Sequence, residues 1–89
     1  MTSETTRTDR HEFRIFPCRR YGHDGEGYEV EFRPLNPKTG EPWQASRRVT
    51  DGADIEPGAG WSGRPIAYST PELARAARDR QIAKLARRR

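Results

Sequence analysis

Strict alternation of apolar and polar residues is concentrated in the first half of the chain. Tyr28, Val30 and Phe32 alternate with Glu29, Glu31 and Arg33, between Gly27 and Pro34. A period of two sends successive side chains to opposite faces of a strand, so residues 28–33 predict a half-buried β-strand. His11 to Phe16 repeats the pattern, with Phe13 and Ile15 opposed to Glu12 and Arg14, and Pro17 predicts its end. A third segment, Trp43 to Thr50, places Trp43, Ala45 and Val49 on one parity with Arg47 intruding among them. Between the last two segments lies Asn36-Pro37-Lys38-Thr39-Gly40. Pro37 presets φ for the second turn position, Asn36 can cap the turn, and Gly40 can take the left-handed conformation. Residues 28–50 therefore predict an antiparallel hairpin, and residues 11–16 can pair with it through the glycine-punctuated loop at 18–27.

The periodicity changes after residue 69. Ser69-Thr70-Pro71-Glu72 is a helix start that reads in two ways: a capping box with Ser69 as N-cap, or Thr70 as N-cap with Pro71 in the first helical position. The helix is expected to run to about Arg87. Ala74, Ala77, Ile82, Leu85 and Ala86 form a broad, weak apolar face, with Leu73 at its margin and Arg78 interrupting it. Two stretches fit neither period. Residues 1–10 are polar and threonine-rich and are expected to be disordered. Residues 51–69 hold Gly52, Gly58, Gly60, Gly63, Pro57 and Pro65, yet also Ile55, Trp61, Ile66 and Tyr68. That combination predicts an irregular segment whose apolar residues, Trp61 and Ile66 above all, pack back onto the sheet. The expected architecture is α+β: a three-stranded antiparallel sheet packed by one C-terminal helix in the order β-β-β-α, with a disordered N-terminus. The expected organisation is one domain over 11–87 with a basic tail at 88–89.

Composition narrows the picture. The apolar content of 31% is low and the charged content of 34% is high, which agrees with a thin core and a disordered lead-in. Cys18 is the only cysteine, so no intrachain disulfide can form, which fits a reducing cytoplasm. The chain lacks a long apolar run, and its first residues lack the apolar stretch of a signal peptide. The chain therefore reads as cytoplasmic, without a membrane partner.

Charge is distributed unevenly. Residues 71–89 carry seven basic side chains against two acidic ones, whereas residues 1–70 carry ten against eleven, so the net charge of +4 comes from the helix and its tail. A concentrated positive field attracts polyanions over about 8–10 Å at physiological salt. Arginine abundance also follows from GC-rich codon usage, so the clustering carries this argument and the count does not. Arg75, Arg78, Lys84, Arg87, Arg88 and Arg89 are accordingly the candidate nucleic-acid contacts, each phosphate they neutralise adding affinity by counterion release. An acidic protein surface is the other partner that such a field would suit.

The element order over residues 11–87 resembles that of the arm-type DNA-binding domains of tyrosine recombinases and of AP2-like domains. The resemblance implies a sheet face entering the major groove. Here that face would carry Arg14, Glu29, Glu31, Arg33, Gln44, Ser46 and Arg48, with the two glutamates in its middle strand.

Other chemistry is poorly supplied. His11, Cys18, His23 and Asp24 lack paired ligand spacing, and Asp24-Gly25-Glu26-Gly27 lacks the register of a calcium loop. Gly58-Ala59-Gly60-Trp61-Ser62-Gly63 has no Gly-Lys-Ser/Thr and is no phosphate loop. Ser62, Ser69 and the two histidines form no nucleophile–base spacing. The expectation is a small non-catalytic accessory protein, without metal or cofactor, that binds nucleic acid through its basic C-terminal helix. The alternative is a protein-interaction module, an adaptor or inhibitor of the kind phages and mobile elements encode, using Ile55, Trp61, Ile66 and Tyr68 with a sheet edge. Either a monomer or a homodimer joined at such an edge is compatible with the pattern.

Overall fold

A computed structural model of the chain describes residues 3–19, 26–54 and 67–87. Its class is α+β, and among the described residues the sheet has four strands where three were expected. The antiparallel strands follow chain order as β1 (Glu4–Arg7), β2 (His11–Arg19), β3 (Glu26–Pro34) and β4 (Arg47–Val49). The helix among the described residues, α1 (Pro71–Arg87), packs on one face. Among the described residues, no helix is long and apolar enough to cross a membrane.

The extra strand corrects the reading of the N-terminus, where Glu4–Arg7 pairs along Glu12–Ile15 instead of being disordered. Thr8 closes the connecting turn, its N–H donating to the His11 carbonyl (2.9 Å) and its hydroxyl oxygen accepting from the His11 N–H (3.2 Å). β2 also runs past Pro17 to Arg19, where Phe16 had been expected as the last residue. The register explains the tolerance. Pro17 faces Tyr28, whose own N–H and carbonyl both bond Tyr68 at 2.8 Å on the far side. Pro17 thus sits at a pair that exchanges no hydrogen bonds across β2–β3. Its nitrogen points away from β3, beyond the last described β1–β2 pair at Glu4–Ile15.

The turn after β3 forms as its residues predict. The Gly40 N–H donates to the Asn36 carbonyl (2.7 Å), the Lys38 N–H donates to Asn36 Oδ1 (2.8 Å), and Gly40 has φ of +76°. The strand after it is shorter than expected. Pro42 lies opposite Leu35 and Arg47 opposite Phe32, so five steps on one side span three on the other. Residues 44–46 are squeezed out of the ladder, and Trp43 (50% exposed) and Ala45 lie at the surface instead of in the core. Beyond β4, the outer edge of β3 is taken up by Tyr68, paired with Tyr28.

Phe13, Ile15, Val30 and Val49 supply the sheet side of the core, while Ala74 and Ala77 supply the helix side and allow close approach. Tyr28 and Phe32 are half-buried against this cluster, and the Phe13 and Phe32 rings stack with centroids 5.3 Å apart. The helix start resolves in favour of Thr70, whose hydroxyl oxygen accepts from the Leu73 N–H (3.1 Å), with Pro71 as the first helical residue. Ser69 is held by Asp54 instead.

Candidate functional site

Two of the helical cations expected to meet phosphate are engaged within the fold. Arg75 grips the Glu4 carboxylate with its Nε (3.1 and 2.9 Å) and its Nη2. Arg78 donates to Thr6 Oγ1 (3.2 Å) and to Glu4 (3.5 Å). The hydrogen bond from Arg75 holds the Glu4 carboxyl below its usual range, against the smaller opposing effect of burial. These two arginines satisfy the polar inward residues of β1, and their side chains remain 43% and 16% exposed. On the opposite edge Arg80 ties the chain leaving β4, through Asp51 Oδ2 (2.7 Å) and the Asp51 carbonyl (3.0 Å). Lys84 and Arg87 are exposed and make no ion pair among the described residues. Arg88 and Arg89 lie outside the described residues.

The opposite sheet face carries an ordered set of charges. Side chains at 7, 12 and 33 form one cross-strand row, and those at 14, 31 and 48 form the next. Glu12 accepts from Arg7 (3.1 and 3.0 Å) on one oxygen and from Arg33 (3.2 and 3.1 Å) on the other. Burial alone would raise the Glu12 carboxyl, but the hydrogen bonds from the two guanidinium groups outweigh it and hold the group ionised below its usual range. Arg14 lies 3.5 Å from Glu31, and Arg48 pairs with Glu29. The charges differ in depth. The side chains of Glu12, Glu29 and Glu31 are 8%, 8% and 18% exposed, whereas those of Arg7, Arg14, Arg48 and Arg33 are 49%, 40%, 40% and 27% exposed. The glutamates that seemed to oppose a polyanion therefore lie beneath the arginines.

Phe16 completes this face. It shares the parity of Glu12 and Arg14, and its ring centroid is 5.7 Å from the Arg14 guanidinium and 5.6 Å from that of Arg48. Reading Pro17 as a strand end left Phe16 without a face. Its even spacing from Glu12 and Arg14 was the available signal.

The alternative site fares differently. Tyr68 is fully buried, and its hydroxyl donates its one proton between the carbonyls of Asp51 (2.8 Å) and Val49 (3.1 Å), so it cannot contact a partner. Burial pushes its hydroxyl up to about 12, with Asp51 and Asp54 acting in the same direction and Arg80 against it. Ile55, Trp61 and Ile66 lie outside the described residues, as do His23 and Asp24. His11 faces Phe13 and Phe32 across 6.2 and 5.9 Å, and burial followed by the charge of Arg10 holds its imidazole below the usual value. A cleft of about 270 Å³ lies beside it, floored by Phe13, Ile82 and Leu85. No protein-family model, curated protein or solved structure matches the chain.

Proposed function

We propose that this is a non-catalytic nucleic-acid-binding protein whose contact surface is the open sheet face of β1–β4, not the C-terminal helix. The observation that carries this reading is the difference in depth between exposed guanidinium groups and sunken carboxylates. A guanidinium has more N–H donors than one carboxylate oxygen occupies. Glu12 therefore holds Arg7 and Arg33 in position through their Nε and Nη2 atoms and leaves their remaining N–H groups for phosphate, while Glu29 and Glu31 ion-pair with Arg48 and Arg14. The helix offers less, because Arg78 is only 16% exposed and Arg75 is held by Glu4 through both its Nε and its Nη2.

Mobility-shift titrations with single-stranded and duplex oligonucleotides at two salt concentrations test the reading. Replacing Arg14 and Arg33 with Gln is expected to abolish or strongly weaken the shift; Glu12 keeps Arg7 and Glu31 keeps Ser46 in that variant. Replacing Lys84 and Arg87 with Ala is expected to change it little. Four arginines on the face set a ceiling on the salt dependence. At about 0.7 per single-strand phosphate, the log–log slope should not exceed about 3. Absence of binding at low salt, or loss of binding in the helix variant alone, would overturn the proposal.

A further inference from the structure

We infer that the open face takes single-stranded nucleic acid, with Phe16 as a stacking platform for a base and Arg14 and Arg48 as the groups that hold the flanking phosphates. This rests on the nucleic-acid reading above and narrows it to one strand state. The first ground is width. Neighbouring strands lie about 4.8 Å apart, so the axes of four strands span about 14 Å before any side chain is added. The major groove of duplex DNA is about 12 Å wide and admits a helix or a two-stranded ribbon. The whole face cannot seat in that groove, but a single strand can lie across it.

The second ground is chemistry. Phe16 is an aromatic side chain on a face that otherwise carries charged and hydroxyl groups and the Cys18 thiol, and it is only half-buried. Its ring sits within cation–π distance of two guanidinium groups on different strands, so the aromatic surface and its two cations form one cluster. A base stacks on an aromatic face only when it is free of its partner strand; here it would displace a guanidinium group that lies over the ring, and that group would then meet the phosphates on either side of the base. Arg48 pairs with Glu29, and Arg14 lies in looser ion-pair contact, 3.5 Å, with Glu31. The net charge of the face is small, because three glutamates offset four arginines. Stacking therefore has to supply affinity that electrostatics alone would supply on a duplex.

The test uses the full chain with labelled oligo-dT and oligo-rU of about twelve nucleotides, and a duplex of the same length, read by fluorescence anisotropy. Single strands are expected to bind at least about tenfold more tightly than the duplex, and the dT and rU arms show which sugar is preferred. Phe16→Leu keeps an apolar side chain and removes the ring; it should weaken single-strand binding about five- to hundredfold, while Phe16→Trp retains it. A 2-aminopurine placed in the oligonucleotide should be quenched on binding to the unaltered protein, which decides the question even if Phe16→Leu does not fold. Equal affinity for duplex and single strand, unchanged binding by a folded Phe16→Leu variant, or absence of quenching would overturn the inference. If duplex binding persists in Phe16→Leu but is lost in the Arg14/Arg33 variant, the stacking site falls and the nucleic-acid reading stands. If no oligonucleotide binds at low salt, both fall.

Discussion

Tyr68→Phe removes one oxygen atom from the centre of the molecule, and its cost can be worked from the contacts. The Tyr68 side chain is wholly buried, and its hydroxyl is the donor for two backbone carbonyls, those of Val49 and Asp51, at the point where the chain leaves β4. Phenylalanine keeps the ring and its packing against Ile15, Val30, Ala74 and Ala77, so no large cavity opens. What is lost is a net hydrogen bond, about 0.5–1.5 kcal/mol, together with the cost of any acceptor left dry, about 1–3 kcal/mol. Asp51 is exposed, so water can reach its carbonyl and the second cost is only partly incurred. The expected loss is therefore about 1–2 kcal/mol, out of a total of about 4–13 kcal/mol for a chain of 89 residues. Thermal unfolding followed by circular dichroism should show Tm falling by about 4–16 °C. Tyr68→Ala also opens a ring-sized cavity, at a further cost of about 3–5 kcal/mol, and should leave little folded protein. The same hydroxyl gives an independent readout. Its pKa is raised from 10.0 to about 12, so its contribution to stability is complete below pH 10 and is lost as pH rises toward 12. Spectroscopic titration should show a late tyrosinate phase that Tyr68→Phe removes. A Tm change below about 2 °C, or the absence of a late phase, would refute the placement of Tyr68 in the core.

Four further outcomes follow from the geometry. Glu4→Gln should release β1 from α1, so that hydrogen exchange accelerates at residues 5–7 while the paired amides of β2 and β3 stay protected. Acidification should destabilise the protein in two stages, measured as Tm against pH. His11 is held below its ordinary 6.5, so its contribution is full above that pH and declines below it, whereas Glu4 and Glu12 are held below 4.5 and theirs is lost only as pH falls further. His11→Phe should erase the first stage alone. Gly40→Ala, at φ +76° in open space, should cost about 1–2 kcal/mol from backbone strain. Gly52→Ala, at φ +72°, should cost a similar amount, because the Arg80 guanidinium 2.7 Å from the new Cβ is the free end of a long side chain and can swing aside.

Local signals written into consecutive residues were legible without any structure. The alternation at 28–33 gives β3, the Asn36–Gly40 turn closes as its residue types demand, and Thr70-Pro71 begins a helix that ends close to where its apolar face runs out. Each rests on short-range sterics or on hydrogen bonds between neighbours in sequence, so a short window contains the whole cause. The rest depends on partners far apart in the chain. β1 shows no apolar alternation, because its inward residues are Glu4 and Thr6; it is a strand because Arg75 and Arg78, some seventy residues later, satisfy them. Pro17 stays within β2 because Tyr68, on the other side of β3, takes the hydrogen bonds of Tyr28. The candidate site belongs to the same class. Sequence showed a basic helix and a sheet face mixed with acids, and net charge favoured the helix. Depth reverses that order: the fold occupies the first two helical arginines with Glu4 and Thr6 and lowers three glutamates beneath the arginines of the sheet. Charge is a property of composition, but its exposure is set by which neighbours three-dimensional packing supplies.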